Sequence, residues 1–428
     1  MILANGKLYP AQAQADLLAG LEREINATRS GPGLDTGAVI AALAALGREL
    51  ASGGLNDLLS EHLSPETARY LDTAGTMLTR ESLEYMVDSQ LGPDFWTPVP
   101  RKPLYGPGLV TRPLPLGTLF HIAAGNMDAL PAFTLAEGLL TGNVNILKLP
   151  QADDGLTVAL CQRLIGLEPR LAPYLYIFDT PSADVKTLTA LATLADGVAV
   201  WGGEEAVSAA RRLAPAGVKL IEWGHRLSFA YVSGCEDEDA ELDALAEHIV
   251  STGGLLCSSC QVIFLDTERR GEAEAFCENF LPRLEKMRAK YPLRDLSAAA
   301  RATLGAYSDL LDDILEPSPQ KQTWRGAGCG VELRPEGPLE LSPLYGQCLV
   351  KPLPRERLLG TLRRTKGVLQ TAGLICAPER RAELTDLLSR AGVTRITRAG
   401  TLSATFCGEG HDGEYPLRRY VRMVDVET

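Results

Sequence analysis

The sequence predicts an α/β protein made of two doubly wound parallel sheets and a separate extended arm. From residue 117 onward, short apolar runs of strand length alternate with helical stretches. The runs are apolar at consecutive positions, which is typical of strands buried on both faces of a parallel sheet. A second series of such runs begins near residue 261. Strands that alternate with helices in this way form parallel sheets covered by helices.

The first 98 residues are predicted to form a helical layer. Leu17, Leu21 and Ile25 recur at helical spacing, and similar spacing continues through 40–50. The next segment, 99–116, differs because prolines stand at positions 100, 103, 107, 113 and 115. Proline excludes a regular helix, so we expect this segment to be an extended arm.

Ten strands are predicted after the arm. The first sheet takes those at 117–124, 144–149, 175–179, 197–201, 218–223 and 228–233. Helices are predicted between several of them, at 128–141, 155–166, 183–194 and 204–213. The second sheet takes strands at 261–266, 347–352, 373–376 and 393–397.

These elements divide the chain into three predicted parts. A first domain covers 1–233, a second covers 234–410, and 411–428 is a β-like tail that starts with the turn signal His411-Asp412-Gly413. We expect the tail to pair with the arm. Sheet extension through this arm then predicts a homodimer or homotetramer.

The charge composition argues against nucleic acids and anionic membranes as partners. The chain has 428 residues, with 42 Lys and Arg against 54 Asp and Glu, and a net charge of −12. Nucleic-acid-binding proteins carry a basic face, and anionic membranes attract basic segments, so neither partner is expected. The sequence holds no apolar run of about 18 residues and no signal-peptide pattern. With an odd number of cysteines, nine, this predicts a cytoplasmic protein with reduced thiols.

The segment 251–261 contains the candidate nucleophile. It is rich in small residues and places Cys257 just before a predicted strand, a position that suits an exposed, activated thiolate. Cys260 completes a C-x-x-C spacing, which leaves a zinc site or a redox pair as alternatives. A zinc site needs a second pair of ligands that the sequence does not offer, so no metal is expected. A redox motif belongs at a helix N-terminus, whereas this one precedes a strand.

Four other positions stand at predicted strand ends. Asn126 could aim its amide at a developing oxyanion, or could be an ordinary turn residue. Lys148 ends a buried strand, where it would reach an anion, or would extend to the surface. Gly202-Gly203 lets a ligand approach the backbone, although such a pair is common in strand-to-helix turns. Glu222 puts a carboxylate at the end of an apolar strand.

In their order and spacing, these segments resemble the aldehyde dehydrogenase superfamily. More narrowly, they resemble its acyl-CoA reductase branch, the LuxC type of bacterial bioluminescence. The narrower resemblance rests on H-I-x-x-G-N, G-L-L-T-G-N-x-x-I-L-K, L-S-F, C-S-S-x-Q, L-Q-T and a C-terminal H-D-G. It runs from about 110 to 428. One departure is Ser342-Pro343-Leu344-Tyr345-Gly346, where the superfamily's E-x-F-G cofactor-ribose motif is expected.

The resemblance implies an aldehyde-dehydrogenase-like fold with a β-arm for oligomerisation. It also implies the NADPH-dependent reduction of a fatty acyl thioester, either acyl-CoA or a carrier-bound or synthetase-bound acyl group, to an aldehyde. Cys257 would form the acyl-enzyme, Asn126 would stabilise the oxyanion, and Glu222 is a third catalytic candidate. The cofactor-binding positions implied are Ala123, Gly125, Lys148, Gln151, Gly202, Gly203 and Gly224. Neutral Gln151, where many NAD-using relatives have an acid, favours NADPH.

Two alternatives stay open. The first is an NAD(P)-dependent aldehyde dehydrogenase, acylating or hydrolytic, in which Glu222 activates water. The second is a non-catalytic scaffold subunit of a biosynthetic complex.

Overall fold

The computed structural model describes residues 1–62, 75–123, 130–151, 153–293, 296–315 and 320–428. The chain divides into two compact units. The first joins Met1–Gly224 with the C-terminal segment Phe406–Thr428, and the second is His225–Thr405.

The described residues form strands in three sheets. In chain order they are β1 (Ile2–Ala4), β2 (Lys7–Tyr9), β3 (Val99–Arg101), β4 (Leu109–Pro115), β5 (Thr118–Ile122), β6 (Val144–Lys148), β7 (Leu175–Phe178), β8 (Gly197–Trp201), β9 (Lys219–Trp223), β10 (Leu227–Ser233), β11 (Cys260–Leu265), β12 (Gln322–Gly326), β13 (Cys329–Leu333), β14 (Gln347–Pro352), β15 (Leu369–Cys376), β16 (Arg395–Thr397) and β17 (Val421–Glu427).

Helices cover these sheets. The α-helices are α1 (Gln14–Ser30), α2 (Thr36–Ala51), α3 (Asn56–His62), α4 (Arg80–Leu91), α5 (Leu130–Leu140), α6 (Leu156–Leu167), α7 (Val185–Thr193), α8 (Glu204–Leu213), α9 (Glu238–Thr252), α10 (Arg270–Lys290), α11 (Leu296–Leu315), α12 (Arg355–Leu362), α13 (Arg381–Ala391) and α14 (Pro416–Arg419). No helix in the described ranges combines the length and the apolar character that a membrane crossing requires.

The sheet of the first unit has the strand order β2-β1-β7-β6-β5-β8-β9. The strands from β7 to β9 are parallel, as predicted. Residues buried to 0 % exposure, such as Phe120, Ile146 and Val198, form the core beneath its helices. Because parallel strands are buried on both faces, their apolar runs identified them in the sequence.

The N-terminal hairpin differs from the expectation. The first residues are predicted to belong to a helical layer, yet β1 and β2 pair in a hairpin that extends the sheet beside β7. Its turn is Asn5-Gly6, with φ of 50° and 75°. Asn-Gly is the preferred pair for such a two-residue turn because both positions need positive φ. The turn residues therefore decide the structure here, before the helical pattern begins at α1.

A three-stranded sheet, the arm sheet, has the order β17-β4-β3. It pairs the predicted arm with the C-terminal tail, in antiparallel register from Val421 opposite Pro115 to Glu427 opposite Leu109. The predicted pairing of these two segments is confirmed within one chain.

The second unit contains a sheet of order β12-β13-β14-β11-β10-β15-β16. It is parallel apart from the antiparallel hairpin of β12 and β13, which was not predicted because its apolar content is low at β12. The strand β10 pairs with β11 and β15 in the centre of this sheet. The sequence assigns that strand to the first domain, so the compact units meet nine residues earlier than the predicted division near 234.

Candidate functional site

The carboxyl edge of the first unit's sheet holds several of the predicted cofactor residues. From the centre of the sheet, β5, β6 and β7 follow one another towards one edge, and β8 and β9 follow one another towards the other edge. The direction of winding therefore reverses between β5 and β8. Doubly wound sheets bind ligands at the strand ends beside this reversal. Ala123 directly follows β5, and Gly202 directly follows β8. Both residues therefore lie where a fold of this kind binds nucleotides.

Lys148 is the last residue of β6, next to β5. Its side chain is buried, and Nζ donates a hydrogen bond to Ser182 Oγ at 3.1 Å. Burial lowers the pKa of the Lys148 ammonium, and the Asp179 carboxylate opposes that shift. An ammonium has three N–H donors, so capacity remains for a ligand oxygen.

Gly202 and Gly203 form the turn between β8 and α8. Gly202 has φ +157°, and a Cβ there would lie 2.9 Å from the Cβ of Ala206. Gly203 precedes the helix, and a side chain on it would meet open space, so this glycine leaves room for a ligand. Glu204 and Glu205 occupy the first turn of α8. Their charge makes the turn a better fit for an uncharged group than for a phosphate.

Gln151 and Gly224 lie at two other strand ends. Gln151 is exposed in the turn that follows β6, three residues after Lys148. Gly224 follows β9 and is the last residue of the first segment of the unit.

Glu222, on β9, is held by a bidentate ion pair. Arg211 of α8 donates from Nη2 to Glu222 Oε2 at 2.7 Å and from Nε to Oε1. The Glu222 side chain is 27% exposed and that of Arg211 62%. Both carboxylate oxygens are engaged, in the geometry that arginine favours with carboxylates. In this arrangement Glu222 is poorly placed to accept a proton from water.

An aromatic cluster covers the ends of β8 and β9. The rings of Trp201 and Trp223 lie 5.4 Å apart between centroids. His411, from the C-terminal segment, lies 4.9 Å from the first and 5.2 Å from the second. The sequence marked this histidine only through the H-D-G motif. Its position beside the candidate cofactor turn required the tertiary fold.

A buried polar group lies between β5 and α5, and the sequence did not reveal it. Trp201 Nε1 donates to Thr134 Oγ1 at 3.2 Å, and that hydroxyl lies 3.0 Å from His121 Nδ1. His121 Nε2 lies 3.0 Å from Asn145 Oδ1. Burial lowers the pKa of His121 to about 4, so the ring is neutral at physiological pH.

Glu137 of α5 is the second buried titratable group nearby. Its side chain is 2% exposed, and burial raises its pKa to about 8, against the effect of the neighbouring Tyr420 hydroxyl. A carboxyl group in these surroundings is protonated at neutral pH. Its position on the apolar face of a helix gave no sign of this in the sequence.

Two predicted residues cannot be placed. Asn126, the expected oxyanion donor, and Gly125, an expected cofactor contact, lie in 124–129, outside the described residues.

Cys257 lies in the second unit and is the exposed member of the nine cysteines. Cys235 is intermediate and the other seven are buried, and none of the nine forms a disulfide. Burial is the largest cause that raises the pKa of the other eight thiols. Those eight are therefore poor nucleophiles, since the thiolate is the reactive form.

Residues 253–259, here called the thiol loop, connect α9 to β11 and carry Cys257. Ser228 Oγ donates to Cys257 O at 2.8 Å, and Gln261 Nε2 donates to Gly254 O at 2.8 Å. Leu256 N donates to Ser259 Oγ at 3.0 Å. The loop is thus fixed by buried side chains at both ends and in the middle.

The segment that replaces the expected ribose motif also supports the thiol loop. Leu344, Tyr345 and Gly346 have φ of 70°, 50° and 90°, a strained conformation for the first two. Tyr345 N donates to Gly253 O at 2.7 Å, and Arg288 Nη2 donates to Tyr345 O at 2.6 Å. Such strain persists only where the surroundings impose it, and here it brings the segment against the loop.

The described residues contain no group of three or more His, Cys, Asp or Glu side chains arranged to hold a metal ion. Cys257 and Cys260 also differ in setting, because Cys260 is buried at the start of β11.

Comparison with solved structures identifies the fold. The chain is similar to methylmalonate-semialdehyde dehydrogenase from Oceanimonas doudoroffii, with a TM-score of 0.75 at 13% identity over 100% of this chain and 97% of the other. It is also similar to a putative methylmalonate-semialdehyde dehydrogenase from Sinorhizobium meliloti 1021 complexed with NAD, with a TM-score of 0.73 at 14% identity and the same coverage. The predicted aldehyde-dehydrogenase-like fold is confirmed.

Curated relatives give a narrower similarity. The long-chain acyl-protein thioester reductase 2 of Photobacterium leiognathi is 24% identical over 323 residues, which cover 74% of this chain and 65% of that protein. The long-chain acyl-protein thioester reductase of Vibrio harveyi is 23% identical over 367 residues, covering 82% and 72%. The chain thus spans about two thirds of the length of these relatives. The family model for acyl-CoA reductase (LuxC) matches residues 40–423, and the chain therefore belongs to the LuxC acyl-CoA reductase family.

Proposed function

We propose that the protein reduces an acyl thioester to an aldehyde, with NADPH as the reductant and Cys257 as the nucleophile. The observation that carries this proposal is the exposure of Cys257, in a loop fixed by buried hydrogen bonds, among eight thiols with raised pKa values. A thiol is the nucleophile that thioester exchange requires, because the carbon–sulfur bond that forms replaces the carbon–sulfur bond that breaks.

In the first half of the reaction, the Cys257 thiolate attacks the thioester carbonyl carbon. The carbonyl electrons move to oxygen, and the backbone N–H of Cys257 with the Asn126 amide would stabilise that oxyanion. Collapse then breaks the bond to the leaving thiolate, which takes up a proton, and leaves the acyl group on Cys257.

The residues at the first unit's strand ends fit a nicotinamide cofactor. Gly203 leaves open space at the turn, and Lys148 retains donor capacity beside the reversal of the sheet. A bound cofactor would supply the two electrons and the hydrogen that convert the acyl carbon to the aldehyde level. The Cys257 sulfur then leaves as thiolate. Lys148 and neutral Gln151 are compatible with the 2′-phosphate of NADPH.

The ion pair of Glu222 favours reduction over the hydrolytic alternative. A hydrolytic enzyme needs a carboxylate that accepts a proton from water, whereas both oxygens of Glu222 accept hydrogen bonds from Arg211. An acyl-enzyme that is not hydrolysed survives until the cofactor reduces it.

The acyl donor is proposed to be a long-chain acyl group on CoA or on a protein, because the curated relatives are named long-chain acyl-protein thioester reductases. A carrier or acyl-synthetase would then be the partner. We further propose a homodimer or homotetramer formed through the arm sheet, acting in the cytoplasm, where nine cysteines without a disulfide are stable.

The test combines turnover with a cysteine control. Protein mixed with NADPH and a series of acyl-CoA chain lengths should oxidise one NADPH for each CoA and aldehyde released. Cys257→Ala should abolish this turnover and the trapping of a radiolabelled acyl group, whereas Cys235→Ala, at a half-buried thiol of the same unit, should retain both. Labelling that persists in Cys257→Ala would move the nucleophile elsewhere. Absence of turnover at every chain length would contradict the proposed reaction.

A further inference from the structure

The central strand of the second sheet has an irregularity on both sides at one residue, Ser228. Towards β11, Ser228 pairs with Cys260 but Phe229 pairs with Val262, so one residue is skipped. Towards β15, the register between Leu227 and Phe229 also shifts by one residue. Bulges are rare in parallel pairs and occur next to active sites. Two at the same residue require a structural reason.

The Ser228 hydroxyl bonds to peptide groups on both sides of the strand. It accepts from Thr371 N at 3.0 Å on β15 and donates to Cys257 O at 2.8 Å on the other side. Ser228 is completely buried. A buried peptide group without a partner costs about 1–3 kcal/mol, so the hydroxyl supplies Thr371 N with a partner inside the bulge and also ties the strand to the thiol loop.

The residue skipped on β11 is Gln261, and it holds the other end of the thiol loop. Its Nε2 donates to Gly254 O at 2.8 Å. Its Oε1 accepts from Ser342 N at 3.2 Å and from Ser342 Oγ at 2.8 Å. In a regular ladder the Gln261 side chain would point among apolar neighbours. The bulge instead lets it reach Gly254 and Ser342.

His248 of α9 adds a third contact close to the same point. Its Nε2 accepts from Cys260 N at 3.2 Å. Thus three peptide groups in or beside the thiol loop, Gly254 O, Cys257 O and Cys260 N, are bonded to side chains. Only one of these peptide groups, the Cys257 carbonyl, belongs to the proposed nucleophile.

We propose that Ser228 is a positioning residue for Cys257, acting through the hydrogen bond from its hydroxyl to the Cys257 carbonyl, with Gln261 holding the opposite end of the loop. The proposal rests on the proposed function, in which Cys257 attacks the substrate. Fixing the Cys257 carbonyl fixes its peptide plane, and so directs the thiol towards the reacting carbon. A misplacement of about 1 Å can cost about 100-fold in rate.

The test uses three variants. Ser228→Ala removes both hydrogen bonds, Ser228→Thr keeps the hydroxyl and adds a methyl group, and Ser233→Ala is the control. Ser233 lies on the same strand, is buried, and donates to Asp266 Oδ2 at 2.6 Å. We expect kcat to fall about 10- to 100-fold in Ser228→Ala, with the KM for NADPH unchanged, and to stay within about threefold in Ser228→Thr. A role in packing alone predicts the reverse order, because threonine disturbs a full core more than alanine does.

Hydrogen exchange provides a readout that needs no turnover. Amides of residues 253–260 should exchange about tenfold faster in Ser228→Ala, the factor that corresponds to about 1.4 kcal/mol, and at the original rate in Ser233→Ala. If Ser228→Ala does not fold, Gln261→Met, which releases the opposite end of the loop, replaces it with the same expectations.

The outcomes separate the two proposals. Unchanged kcat in Ser228→Ala, with Cys257→Ala inactive, would overturn the positioning role and leave the proposed function intact. Unchanged exchange in the loop would also overturn it. Activity that survives in Cys257→Ala would instead refute the proposed nucleophile, and the exchange rates would still decide whether Ser228 holds the loop.

Discussion

The nine cysteines differ in their surroundings and not in their chemistry. Burial raises the pKa of Cys161, Cys260 and Cys277 to about 12, and that of Cys329 to about 11. Cys257 alone is exposed. At this scale the decisive quantity is solvent access, because a thiolate buried in apolar surroundings costs more than the protein can compensate.

A change at Gln151 should alter cofactor choice. Gln151→Glu would place a carboxylate three residues after Lys148, where it would repel the 2′-phosphate of NADPH bound as proposed. We expect the preference for NADPH over NADH, measured as the ratio of kcat/KM values, to fall about tenfold, equivalent to about 1.4 kcal/mol of repulsion. Gln162→Glu, at an exposed position of α6, is the control for net charge. An equal change in both variants would contradict a local effect.

Glu137 should make the protein less stable as pH rises. Its pKa is about 8 in the folded protein, against an ordinary 4.5. Between these values the unfolded chain loses the proton and the folded chain keeps it. The contribution of Glu137 to the free energy of unfolding therefore falls by about 1.4 kcal/mol for each pH unit in that window. Denaturant titrations at pH 6.5, 7 and 8, above the range in which the buried histidines contribute a slope of opposite sign, should show that Glu137→Gln removes this slope.

The control for that measurement is Glu22→Gln, at an exposed position of α1. It should leave the slope unchanged. A slope that persists in Glu137→Gln would mean that another group binds the proton.

The arm sheet accommodates two prolines within one of its β-strands. Pro113 and Pro115 of β4 lie opposite Met423 and Val421. Proline has no N–H to donate, so these must be the pairs without ladder hydrogen bonds between the strands. Consistent with this alternation, Leu116 N donates to Tyr420 O and Thr428 N to Gly108 O. The N–H of Met423 therefore points away from β4, towards the outer edge of β17.

That geometry allows a selective test of oligomerisation. Met423→Pro removes a donor from the outer edge of β17 while sparing the bonds to β4, and proline blocks edge pairing. If a second copy extends the arm sheet at β17, light scattering should show loss of the dimer or tetramer with little change in melting temperature. The control is Tyr85→Lys, a substitution at an exposed position of α4, which should leave the oligomeric mass unchanged. An unchanged mass in Met423→Pro would exclude assembly through this edge.

Among the histidine side chains that the structure describes, each unit contains one that is buried. His121 lies in the first unit and His248 in the second, and burial lowers the pKa of each to about 4. Both rings accept or donate hydrogen bonds as neutral groups within their unit. The two units therefore share a sensitivity to acid although their sheets are separate.

We expect stability to fall between pH 6.5 and pH 4. In that window the unfolded chain binds a proton at each histidine and the folded chain does not, so the free energy of unfolding falls by about 1.4 kcal/mol per pH unit for each group. Calorimetry at pH 7 and pH 5 should show a smaller difference in melting temperature for His248→Gln than for the original protein. His225→Gln, at an exposed position, should behave like the original. A difference unchanged in His248→Gln would contradict this account.

The fold class and the candidate nucleophile could both be predicted from the amino-acid sequence. Parallel strands are buried on both faces, so continuous apolar runs located β5, β6, β7 and β8 within a few residues. The loop of small residues marked Cys257 as the candidate, because a cysteine placed in such a loop just before a strand suits an exposed, activated thiolate. The order of the motifs along the chain identified the family.

Which residues contact one another depends on the tertiary fold and could not be predicted from local patterns. The membership of β10 in the second sheet depends on hydrogen bonds to β11 and β15, and its apolar pattern fits either sheet. The approach of His411 to two tryptophans and the contact of Ser228 with Cys257 join residues distant in sequence, and the pairing of Arg211 with Glu222 joins a helix to the strand that follows it. A local pattern records how a segment buries its own surface, whereas such contacts depend on where the rest of the chain is packed.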